Sequence, residues 1–103
     1  MKILSIDKKI INDALKNYVA EIIKRYNEIE KIFLFGSYAR DDYIPGSDVD
    51  LLIVLSSYNK KFIRDRIPDF IPDYFPIGID IIPITKKELE EFLLEGNFFT
   101  NKF

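Results

Sequence analysis

The run Leu51-Leu52-Ile53-Val54-Leu55 is apolar at every position. A strand wetted on one face alternates apolar and polar residues, so an unbroken run belongs to a strand covered on both faces. Such a strand needs a sheet with packed layers on either side, and it sits near the sheet's centre. Directly before it stands Asp48-Val49-Asp50. Asp is disfavoured in strands, so two at one strand entrance need a reason.

The rest of the chain fits one domain spanning residues 1–103. Its hydrophobic fraction of 48% supports a core and argues against disorder. The net charge of −2 gives no strong pull toward nucleic acid or an anionic membrane. Cys, His and Trp are all absent. That removes disulfides, thiol chemistry, Ser-His-Asp catalysis and Cys- or His-ligated metals. Carboxylates, hydroxyls, Lys, Arg and backbone amides remain, a set suited to hard, oxygen-ligated cations such as magnesium. Met1-Lys2-Ile3-Leu4-Ser5 leads into charged residues rather than a signal peptide, and no run reaches transmembrane length. A cytoplasmic location is expected.

Apolar residues at helical spacing from Ile10 to Tyr26 predict a packing helix over residues 7–28. Lys31 to Phe35 reads as a strand ending at Gly36. Ser37 then caps a short helix to about Asp41, and Pro45-Gly46 marks a turn. Asp48 to Leu55 is the covered strand. Lys60 to Ile67 predicts a short helix, and Pro68, Pro72 and Pro76 break any long element. Ile63, Ile67, Phe70, Ile71 and Tyr74 still keep roughly helical spacing, as one or two short turns packed on the sheet would. Ile77 to Ile82 reads as a third strand. Thr85-Lys86-Lys87-Glu88 fits a capping box that opens a helix to about Leu94, with Gly96 as its stop.

Side chains two apart on a strand share a face, so Asp48 and Asp50 lie close together at the rim of a core. Repulsion and desolvation make that costly, and a divalent cation relieves both. Asp80, inside Ile77-Gly78-Ile79-Asp80-Ile81-Ile82, is expected to be a buried carboxylate. If its strand lies beside the Asp48–Leu55 strand, the three acids can hold two cations about 3.5–4 Å apart. Gly36 lets the backbone approach an anion, Ser37 offers a hydroxyl at a helix N-terminus, and Arg40 can reach a phosphate. Each feature also has an ordinary reading. Asp48 can cap a loop, Asp50 and Asp80 can pair with cations, Gly36-Ser37 can be a plain turn, and Arg40 can pair with Asp41 or Asp42. Lys60, Lys61, Arg64 and Arg66 read as a solvated helix face.

Gly36-Ser37, ten intervening residues and Asp48-Val49-Asp50 together resemble the signature of the minimal nucleotidyltransferases, within the DNA polymerase beta-like superfamily. Asp80 fits that family's third acidic position, and the similarity runs from about Ile29 to Leu94. The resemblance implies an α+β fold, a mixed β-sheet with helices packed against it. It implies transfer of AMP from ATP to an acceptor hydroxyl, with pyrophosphate released. Gly36 and Ser37 would hold the β- and γ-phosphates. Asp48, Asp50 and Asp80 would ligate two magnesium ions, and Asp80 would help deprotonate the acceptor. Small members of this kind are similar to antitoxins that adenylylate a tyrosine of a partner HEPN-type ribonuclease toxin. Asp41 departs from the family pattern, where many relatives place Gly.

Two other readings compete. The tail residues Phe98, Phe99 and Phe103 suit a non-catalytic module that neutralises a partner by contact, or a homodimer interface. A nucleic-acid end-modifying enzyme is the third reading. The slight acidic balance and the lack of a nucleic-acid-binding module argue against it.

Overall fold

The computed structural model describes residues 8–36 and 48–94. Helix α1 (Lys8–Arg25) buries Ile11, Tyr18 and Ile22 along one stripe. It ends three residues before the expected Glu28, although Tyr26, just past its end, still packs on the core. Strand β1 (Ile29–Phe35) pairs antiparallel with β2 (Val49–Leu55). Strand β3 (Ile79–Thr85) pairs parallel with β2. The order β1-β2-β3 puts β2 in the middle, as its apolar run requires. Helix α2 (Ile63–Phe70) lies in the crossover that a parallel pair needs, and α3 (Lys86–Leu94) follows β3 directly. The α+β class and the mixed sheet with packed helices are as expected.

Both faces of β2 are covered. Val49, Leu51, Ile53 and Leu55 join Ile81, Phe70 and the α1 stripe in one cluster. Leu52 and Val54 join Ile84 in the other, with Ile63, Leu89 and Phe92 packed on them. The period-2 alternation therefore assigns Asp50, like Leu52 and Val54, to the α3 side of the sheet.

Helix α2 departs from expectation. It starts at Ile63 rather than Lys60 and runs through Pro68 to Phe70. An interior proline costs about 3 kcal/mol in a free helix. Burial of Phe70, 1% exposed, offsets part of that. Tyrosine hydroxyls serve the carbonyls at its end. Tyr18 Oη donates to Phe70 O at 2.6 Å, and Tyr26 Oη donates to Asp69 O at 2.9 Å. The rings of Tyr26 and Tyr58 tilt against Phe70 with centroids 4.7 and 5.7 Å away.

The expected solvated basic face holds at Lys61 and Arg64, which are exposed, and is corrected at Arg66. Arg66 is 2% exposed, and its guanidinium is saturated. It donates to Glu88 at 2.7 and 3.0 Å and to the carbonyls of Lys60, Lys61 and Pro83. Lys60 pairs with Asp69 at 2.9 Å, and Tyr58 Oη donates to the same carboxylate at 2.7 Å. Lys61 and Arg64 lie over the Phe62 ring at 5.7 and 5.2 Å. A run of cations in sequence says nothing about an acid 22 residues away that folding brings alongside.

The capping box forms as expected. Thr85 N–H donates to Glu88 Oε1 at 2.9 Å, and Glu88 N–H donates to Thr85 Oγ1 at 3.2 Å. Thr85→Ala should cost about 1 kcal/mol. Thermal unfolding should then show a midpoint lower by about 4–8 °C.

Candidate active site

The site is built where β1 ends and β2 and β3 begin. Antiparallel pairing sets Phe35, the last residue of β1, opposite Asp50. Parallel pairing sets Asp50 opposite Asp80. Directly paired residues share a face, so these two carboxylates stand side by side on the α3 side of the sheet. Asp80 is exposed, and Asp50 is half-buried. The expectation of a buried Asp80 is corrected: it is only the second residue of β3, and burial begins at Ile81.

Gly36 follows β1 with φ +80°, a backbone that L side chains rarely adopt. A Cβ there would overlap Asp50 Oδ2 and stand 3.1 Å from its Cγ. Gly36 therefore serves both the turn and the room that the Asp50 carboxylate occupies. Asp48 is exposed and leans on the other strand. Its carboxylate lies over Gly78, where an added Cβ would overlap Oδ1. Val49 N–H donates to Gly78 O at 2.9 Å and closes the two strand entrances together. Ser37 and Arg40, the other expected phosphate-binding residues, lie outside the described residues, as do Asp41 and the aromatic tail.

A family model for the nucleotidyltransferase domain matches residues 16–100. The chain belongs to the nucleotidyltransferase domain family. It is 35% identical over 85 residues to "Putative protein adenylyltransferase MJ1305" of Methanocaldococcus jannaschii, spanning 76% of this chain and 56% of that protein. It is 31% identical over 94 residues to "Putative protein adenylyltransferase MJ0128" of the same organism, spanning 82% of this chain and 92% of that one. The crystal structure of a putative nucleotidyltransferase from Sulfolobus solfataricus superposes with a TM-score of 0.62 at 27% identity, covering 79% of this chain and 72% of that one.

The residues of this nucleotidyltransferase domain fit a hard divalent cation by two observations. The donors are all carboxylate oxygens, the ligand class such ions take. Asp50 and Asp48 also lie over two glycine cradles, Gly36 and Gly78, that a side chain would fill, at the strand mouths where Asp80 pairs with Asp50. As they stand, no three acidic groups among the described residues are close enough to hold one ion. Asp80 is exposed, so its carboxylate can change rotamer at small cost and close on the other two. Gly78 is the residue that sequence reasoning missed. A glycine two positions before a strand acid was visible, but only the strand register reveals that it faces Asp48. Among the described residues, no helix is long and apolar enough to cross a membrane.

Proposed function

We propose that this chain moves AMP from ATP to a protein hydroxyl, a tyrosine of a HEPN-type ribonuclease toxin, and so acts as an antitoxin. The observation that carries the reading is the pairing of Asp50 with Asp80 beside the Gly36 turn. The protein adenylyltransferase names of its relatives supply the acceptor class. In this reading Gly36, Ser37 and Arg40 hold the triphosphate. Asp48, Asp50 and Asp80 provide the oxygen ligands for two magnesium ions. When bound, the ions neutralise phosphate charge and lower the pKa of the attacking hydroxyl. Asp80 accepts the proton from that hydroxyl. The oxygen bonds to the α-phosphorus as the bond to the bridging β-phosphate oxygen breaks, and pyrophosphate leaves. Positioning and charge neutralisation suffice for this chemistry, so no His or Cys is needed.

A second reading, inhibition by contact alone, draws on Phe33 and Leu34 of β1, which are 47% and 38% exposed. Apolar grooves of about 370 and 390 Å³ flank that strand. Exposed apolar surface of this kind suits a partner protein or a second copy of the chain. One experiment separates the readings. The chain is incubated with α-labelled ATP, magnesium and a HEPN-type ribonuclease toxin. Label on a toxin tyrosine, lost when that tyrosine becomes Phe, supports transfer. Protection of cells without label, retained by the Asp48→Ala/Asp50→Ala chain, overturns it in favour of contact.

A further inference from the structure

We propose that Gly78 is a positioning residue that fixes where the Asp48 carboxylate stands, and through it the affinity for the divalent cation–nucleotide complex. This inference rests on the nucleotidyltransferase reading above. Val49 pairs with Ile79, so the parallel register places Asp48 against Gly78 at the mouths of β2 and β3. The Val49 N–H to Gly78 O bond fixes the backbone at that point. A Cβ on Gly78 would overlap Asp48 Oδ1 and approach its Cγ to 2.8 Å and Oδ2 to 3.3 Å. The whole carboxyl group therefore overlies the glycine. Neither ordinary reason for a glycine applies here. Among the described residues Gly36 alone has a positive φ, and Gly78 is exposed rather than wedged into a core. Room for the Asp48 carboxylate is what remains. A side chain at 78 pushes that carboxylate away from β3 and hence from the Asp50–Asp80 pair.

The test uses the full chain with Mn2+ and a non-hydrolysable ATP analogue. Bound Mn2+ is followed by electron paramagnetic resonance, and thermal unfolding is recorded in parallel. Gly78→Ala should weaken Mn2+–nucleotide binding by about tenfold, as loss of a ligand's orienting partner does. The melting temperature without metal should stay level or rise, because alanine restricts the unfolded chain. Asp48→Ala should weaken binding as well, and Gly78→Ala should add nothing in that background. Unchanged binding by Gly78→Ala overturns the inference alone. So does an equal further loss in the Asp48→Ala background, because Gly78 would then act without Asp48. A wild-type chain that binds no Mn2+–nucleotide overturns the parent reading and this inference with it.

Discussion

Asp80→Asn should abolish nucleotidyl transfer and yet raise the melting temperature of the metal-free chain. Asp50 and Asp80 face each other across β2 and β3. Like charges directly opposite on neighbouring strands destabilise a sheet by roughly 0.2–1 kcal/mol. Removing one charge at an exposed position relieves that cost and leaves no cavity, so the midpoint should rise by a few degrees. Transfer should fall by about 10³-fold, the rate equivalent of about 4 kcal/mol of lost charge stabilisation. Magnesium with nucleotide should raise the melting temperature of the wild-type chain, and this increment should shrink in the variant. An acid kept at a stability cost is what a functional site looks like. If Asp80→Asn retained near-normal transfer, Asp80 would not belong to the reacting centre.

Arg66→Met should damage stability severely although it lies away from the site. Arg66 ties together the carbonyls before α2, a carbonyl of β3 and the capping carboxylate of α3. Methionine keeps much of the side-chain volume but leaves those carbonyls without their donor and Glu88 without its cation. Breaking a buried pair from one side costs about 3–5 kcal/mol. Glu88 is 30% exposed, so water recovers part of this, and about 3 kcal/mol is expected. Thermal unfolding should show a midpoint about 12–24 °C lower. Glu88→Gln should be milder, because the amide oxygen can still accept from Arg66 and cap Thr85.

The same network sets the acid limb of stability. The hydrogen bond from Arg66, with smaller help from Thr85, holds the Glu88 carboxyl below its ordinary range. Lys60 and then Tyr58 do the same for Asp69. A carboxylate with a depressed folded-state pKa contributes stability above its unfolded pKa, and that stability is lost as pH falls through the folded value. Unfolding free energy should therefore hold level above the ordinary carboxylate range and decline below it. Arg66→Met should flatten that decline, which urea titrations across the acid range would measure. At the alkaline end, burial raises the Tyr18 phenol, and burial followed by the Asp69 hydrogen bond raises Tyr58. Their contribution is present below the ordinary tyrosine pKa and is lost as pH climbs through the raised values.

Much of the architecture was legible because its signals are local. Five consecutive apolar residues announced a strand covered on both faces, and β2 is that strand. Thr85 and Glu88 announced a helix start that forms with both reciprocal hydrogen bonds. The spacing from Gly36 to Asp48 and Asp50 pointed to the family without any view of the sheet. Non-local partnership was not legible. Arg66 read as surface because its partner Glu88 lies beyond β3. Pro68 read as a stop because the tyrosines that serve the last carbonyls of α2 come from α1 and the turn after it. Asp80 read as buried because its flanking isoleucines conceal that the strand has barely begun. The facing of Asp48 by Gly78 depends on a strand register that no single segment encodes.

The most direct test is anomalous scattering from crystals of the chain soaked with Mn2+ and a non-hydrolysable ATP analogue. The account predicts a manganese peak bound by carboxylate oxygens of both Asp50 and Asp80, with the triphosphate against the Gly36 turn. Nucleotide bound elsewhere, with no metal between those two carboxylates, would contradict it.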